Sequence, residues 1–136
     1  VTEDNAARHV AAEWARARSL RDAAGKELAA GIFERAAATL YFAAVHACRA
    51  LLASRGVEPR SHRGLRSLVS LHFVKPGTLP ADVARSLSDL QEAREGSDYI
   101  ATFTVSREEA ERLAQACDAI MAAVEPLLGR PGPTSG

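Results

Sequence analysis

The run Arg60-Ser61-His62-Arg63-Gly64-Leu65-Arg66 sets three guanidinium groups and an imidazole around a serine that is placed to begin a helix. Ser61 can accept a backbone N–H as an N-cap, and a helix N-terminus adds partial positive charge to the arginines beside it. That combination attracts phosphate, so Arg60, Ser61, His62, Arg63 and Arg66 form a candidate phosphate- or RNA-binding cluster. The competing reading is a solvated loop with scattered charges. His46 lies one turn from Phe42 and Arg49 in an apolar stretch, where a core or interface histidine is a better reading than a base. Tyr41 reads as packed, with its hydroxyl in need of a partner. Arg94 and Asp98 stand four residues apart, the spacing of an ion pair along a helix.

Other chemistries find less support. Cys48 and Cys117 are far apart and unaccompanied by further ligands at metal-binding spacing, so buried free thiols are expected, with no metal and no cofactor. Lys+Arg and Asp+Glu both number 17, and no global field draws the chain to nucleic acid; any RNA contact must come from a local patch or a dimer groove. No apolar run reaches the length of a membrane span and no leader pattern opens the sequence, so the expectation is a cytoplasmic protein without membrane association.

Helices are the elements that must position these groups. Of the 136 residues 47% are apolar but only 5% aromatic, and alanine supplies much of the difference, a composition for closely packed helices rather than a sheet. Val10, Trp14, Ala17, Ala24 and Leu28 form one stripe on a long helix from Asp4 to about Ala30, with Gly31 as the break. Ile32 to Ser54 is apolar nearly all round and belongs at the centre of a bundle, ending at Arg55-Gly56. A short helix capped by Ser61 turns Leu65, Leu68, Val69 and Phe73 inward. After the Lys75-Pro76-Gly77 turn, a helix opening on Pro80 buries Val83, Leu87 and Leu90 and runs to about Arg94. Gly96 and the β-like run 100–105 interrupt the pattern. Ser106 and Glu109 then form a capping box for a final helix through Leu113, Cys117, Ile120, Val124 and Leu128. The expected fold is all-α, an up-and-down four-helix bundle with one additional short helix over residues 1–128, followed by a disordered tail over 129–136.

The ordered series Leu40-Tyr41-Phe42-Ala43-Ala44-Val45-His46-Ala47-Cys48-Arg49-Ala50-Leu51-Leu52, Gly56 to Gly64, Phe73-Val74-Lys75, Leu90 to Arg94 and Asp98-Tyr99 carries a resemblance. It is similar to the small prokaryotic HEPN proteins encoded beside a minimal nucleotidyltransferase, over about residues 30–125. The resemblance implies a helical bundle that homodimerises. It also implies a toxin–antitoxin-like module, with a nucleotidyltransferase partner and RNA as the ligand or as the substrate of a metal-independent ribonuclease. In such nucleases an arginine is followed after four to six residues by a histidine. A base takes the 2′-hydroxyl proton while the cation stabilises the phosphorane charge.

Arg94 matches the arginine, but Glu95-Gly96-Ser97-Asp98-Tyr99 follows, and no histidine lies anywhere beyond Arg94. The resemblance therefore nominates Arg94, Asp98 and Tyr99 as catalytic candidates. Asp98 is a weak base at an ordinary pKa of about 4, and Tyr99 matches only loosely a tyrosine that a partner modifies. Arg55…His62 and Arg66…His72 fit the bare spacing elsewhere in the chain. Two alternatives stand beside the nuclease: a non-catalytic partner- or nucleotide-binding subunit, and a structural bundle forming an obligate oligomer.

Overall fold

The computed structural model describes residues 3–99 and 104–129, apart from the side chains of residues 3 and 97–99. The chain is all-α: α1 Glu3–Ala29, α2 Phe33–Ala53, α3 His62–Val69, α4 Ala81–Tyr99 and α5 Arg107–Leu128, with α3 prolonged by a π turn over Ser70–Val74. Four long helices and one short one make the expected bundle.

The centre is α2. Ala36, Ala37, Ala43, Ala44, Ala47 and Ala50 are completely buried, and their small side chains let α1, α4 and α5 pack closely around one axis. Between them Leu40, Leu51 and Leu52 fill the core with Val69, Phe73, Leu87, Leu90, Ile120 and Val124 from the surrounding helices. Cys48 and Cys117 are free and buried within it. Contrary to the sequence expectation, α2 is by length and composition apolar enough to cross a membrane, with a mean hydropathy of 1.4 over its most apolar window. Sixty-seven per cent of that window is buried inside the bundle.

Local signals account for most boundaries. Gly31 and Gly56, at φ of 77° and 71°, take the left-handed conformation after α1 and α2 that residues with a Cβ adopt only with strain. Ser61 caps α3 by accepting the Gly64 N–H at 2.9 Å. Ser106 caps α5 by accepting the Glu109 N–H at 3.1 Å, while its own hydroxyl donates to Glu109 Oε1. The described capping box is therefore not the reciprocal one expected, in which the Glu109 carboxylate takes the Ser106 N–H.

Two boundaries differ from expectation. Pro80 stands just before α4 and its carbonyl accepts from Val83 N, so it precedes the first helical residue. Gly96 does not end α4, which continues to Tyr99. A glycine inside a helix costs about 1 kcal/mol relative to alanine, less than packing against α2 and α5 returns. Of the β-like run, residues 100–103 lie outside the described residues, while Val105 is buried and its N–H donates to Glu34 Oε2 at 2.9 Å, pinning the approach to α5 onto the start of α2. The tail expected over 129–136 lies outside the described residues beyond Gly129.

Candidate functional site

Arg94 projects from α4 over the ring of Phe42 on α2, its guanidinium carbon 5.2 Å from the ring centroid. Another neighbour of Phe42 is His62, the first residue of α3, at 6.1 Å between centroids in an edge-on arrangement. Tyr41 completes the group: its hydroxyl lies 2.9 Å from His62 Nδ1, and its ring meets those of Phe42 and His62 edge-on at 5.4 and 5.5 Å. Thus three elements bring together an arginine, a histidine and a tyrosine around one phenylalanine. His62 occupies this place because Ser61 begins α3 there and the helix start leans against α2.

No histidine follows Arg94 in the sequence, and the fold places His62 against the same aromatic ring as Arg94. The Tyr41 ring is buried, and burial, then the negative charge of Glu95, push its phenol above the ordinary range against the opposing influence of Arg94 and Arg66. The phenol stays protonated and can serve His62 in either direction. By donating to Nδ1 it leaves an N–H on Nε2 for a phosphate oxygen or leaving group. By accepting from Nδ1–H it leaves Nε2 free as a base. Arg94 supplies a permanent cation.

The sequence-derived candidates are divided by the structure. Arg94 and His62 each contact the Phe42 ring. The side chains of Asp98 and Tyr99 lie outside the described residues. The Ser61 hydroxyl is occupied by its capping bond, and Arg60 is exposed. Arg63 borders a neighbouring groove with Lys75, and Arg66 lines that groove while its charge still acts on the Tyr41 phenol. The expected single basic cluster is therefore split, because successive residues of a helix point in different directions. Arg55 lies over Phe73 at 5.6 Å, and Arg66 bonds Gln91 and Ser88, so neither spacing-matched pair with His62 or His72 forms a unit.

Sequence reasoning missed a second cluster. Glu13 on α1 is 8% exposed, and its carboxylate accepts from His46 Nδ1 at 2.7 Å and from Arg49 Nε at 2.9 Å. His9 stands 3.9 Å away one turn back. Burial alone would raise this carboxyl, but the hydrogen bonds and charges of His46 and Arg49 outweigh it and hold it below the usual carboxylate range. His46 is thus the satisfied histidine expected. Glu13 gave a faint signal, an acid falling between Val10 and Trp14 on the apolar side of α1. Among the described residues, no three His, Cys, Asp or Glu side chains converge as metal ligands.

Comparison with known proteins gives this bundle its class. The family model for the HEPN domain matches residues 11–127, and the chain belongs to that family. Over 81 residues, 60% of this chain and 55% of the relative, it is 26% identical to a Methanocaldococcus jannaschii protein named "Putative toxin MJ0142". It is 36% identical over 84 residues to a UPF0332 protein of Archaeoglobus fulgidus, covering 62% of this chain and 66% of the relative. The chain spans between about half and two thirds of the length of these curated relatives. A second Methanocaldococcus jannaschii protein, 29% identical over 82 residues that make up 60% of each chain, is named "Putative toxin MJ0605".

Proposed function

We propose that this chain is the HEPN component of a toxin–antitoxin-like pair, a homodimer that binds RNA and cleaves it weakly without metal, under the control of a minimal nucleotidyltransferase partner. The observation that carries the reading is that Arg94 and His62 both pack against the Phe42 ring, with Tyr41 holding the imidazole. An arginine and a histidine are the two side-chain types needed for cleavage through a neighbouring ribose hydroxyl. Here α3 supplies the histidine in place of the segment after Arg94.

In this mechanism a base removes the 2′-hydroxyl proton and the 2′-oxygen forms a bond to phosphorus. The bond from phosphorus to the 5′-oxygen breaks, and that oxygen takes a proton from an acid. The products are a 2′,3′-cyclic phosphate and a free 5′-hydroxyl. Arg94 stabilises the negative charge that accumulates on the non-bridging oxygens. His62 acts as base or acid according to the tautomer that Tyr41 supports. In a dimer the second copy provides a second histidine for the complementary role.

The test is cleavage of a panel of tRNA and structured RNA in EDTA by wild type, Arg94→Ala and His62→Gln at matched purity. Products ending in cyclic phosphate are expected from wild type. Loss of the general acid–base group should slow their formation by about 10²–10⁴-fold. Equal activity in all three proteins would refute this site, and binding without cleavage would leave the partner- or nucleotide-binding subunit as the reading.

A further inference from the structure

Beside the Arg94–His62 site, across α3, lies an open groove of about 520 Å³ between α3, its π turn and the start of α4. Arg63, Arg66 and Lys75 line it with the hydroxyls of Ser67 and Ser70, over an apolar floor that includes Leu87. No carboxylate is among the lining residues. Arg63 and Lys75 have no ion-pair partner among the described residues. Arg66 is held in place by neutral groups, donating to Gln91 Oε1 at 2.8 Å and Ser88 Oγ at 3.3 Å. Gln91 in turn donates to Glu95, so the nearest carboxylate in this chain of bonds is one side chain removed. Three cations line one concavity without a carboxylate among its lining residues, in a protein whose charges balance overall.

The π turn is the second observation. Lys75 N donates to Ser70 O at 2.8 Å, closing a bond across five residues in place of four. In an α-helix residues five apart point about 140° away from one another. The wider turn rotates them toward the same side, and both Ser70 and Lys75 line the groove. π turns are rare and are frequent at functional sites. Continued as an ordinary α-helix, this segment would turn Ser70 and Lys75 to different faces.

We propose that this groove is a backbone subsite for single-stranded RNA, binding the phosphate next to the one that is cleaved. The inference rests on the proposed function, since the neighbouring Arg94–His62 site selects RNA among phosphate-bearing ligands. The geometry of α3 links the two. His62 faces Tyr41 from the first position of α3, while Arg63 and Arg66, three residues apart on one face, look into the groove. His62 and Arg66 are separated by about 6 Å along the helix axis, a distance on the scale of one nucleotide step. Arg66 stands at the boundary, near enough for its charge to act on the Tyr41 phenol. The cations hold the strand in register by its phosphates and leave base identity unread.

The experiment measures anisotropy of a fluorescent, 2′-O-methylated single-stranded RNA, which cannot be cleaved, across a series of potassium chloride concentrations. Wild type is compared with Arg63→Gln/Lys75→Gln and with Lys26→Gln, which removes a cation from α1. Losing the phosphate held in the groove should reduce the slope of log K against log salt by about 0.7, and the double variant should bind several-fold more weakly at low salt. Lys26→Gln should match wild type. The subsite is overturned if the double variant keeps the wild-type slope, or if Lys26→Gln falls as far as the double variant. Cleavage of unmodified RNA that depends on Arg94, together with an unchanged slope in the double variant, would dismiss the groove and leave the proposed function standing. A wild type that neither binds the RNA nor cleaves it would overturn both.

Discussion

Removing the charge of Glu13 should cost the bundle stability at neutral pH and little in acid. Glu13→Gln keeps the size of the side chain and one carbonyl oxygen, but takes the negative charge from between His46 and Arg49. Two charge-assisted hydrogen bonds, at 2.7 and 2.9 Å, are weakened at a carboxylate 8% exposed. Breaking a fully buried pair costs about 3–5 kcal/mol, but the His46 and Arg49 side chains are 27% and 34% exposed and recover part of their hydration. The expected loss is therefore about 2 kcal/mol, or roughly 6–10 °C in Tm for a domain of this size.

The pH dependence separates charge from packing. The folded-state carboxyl lies below its ordinary value of 4.5, so its contribution is fully present above that value and is lost as pH falls through the folded pKa. Chemical denaturation of both proteins should show the full difference at about pH 7. The difference should narrow progressively below 4.5, as wild type alone loses the charge. A gap that persists unchanged into acid would refute the electrostatic account and assign the loss to packing.

Two further outcomes follow from the rest of the structure. Burial pushes the Cys48 and Cys117 thiols up to about 12 each, so neither should react with a disulfide reagent in the native protein; labelling should track global unfolding in denaturant, and rapid labelling without denaturant would contradict their placement. Arg21 donates to both oxygens of Asp118, at 2.6 and 3.1 Å, tying α1 to α5 across a surface where Asp118 is 54% exposed. A double-mutant cycle with Arg21→Ala and Asp118→Ala should return a coupling of no more than about 1 kcal/mol that shrinks with added salt, and a larger salt-independent value would show that the pair is effectively buried.

What the sequence made legible is what is local. The alanines of α2, the glycines at 31 and 56, and the serines at 61 and 106 each act within one or two turns, and their effects can be read without knowing the fold. Gly96 is the instructive miss: its intrinsic cost argues for a helix end, but contacts of α4 with two other helices override so small a penalty. The π turn was hidden because Ser70-Leu71-His72-Phe73-Val74 has no composition that distinguishes it from an α-helix. The two polar clusters were hidden for a different reason. Tyr41 and His62 are 21 residues apart, and Glu13 and His46 are 33 apart, so only the packing of helices on α2 brings them into contact.

That dependence on α2 explains how so apolar a helix can carry chemistry. Phe42, His46 and Arg49 follow one another at four and three residues, so they share a face, and each is half-buried while the positions around them are buried. Along this stripe the polar and aromatic groups of α2 meet partners from different helices. Phe42 is flanked by Arg94 of α4 and His62 of α3, and one turn further on His46 and Arg49 close on Glu13 of α1. A membrane would leave the charge of Arg49 and the dipole of His46 without such partners, at a cost of several kcal/mol for each unsatisfied group; the bundle satisfies them along a single seam. The same packing places the candidate site against the core. Phe42 belongs to the central helix, so the ring against which Arg94 and His62 pack is fixed by the core.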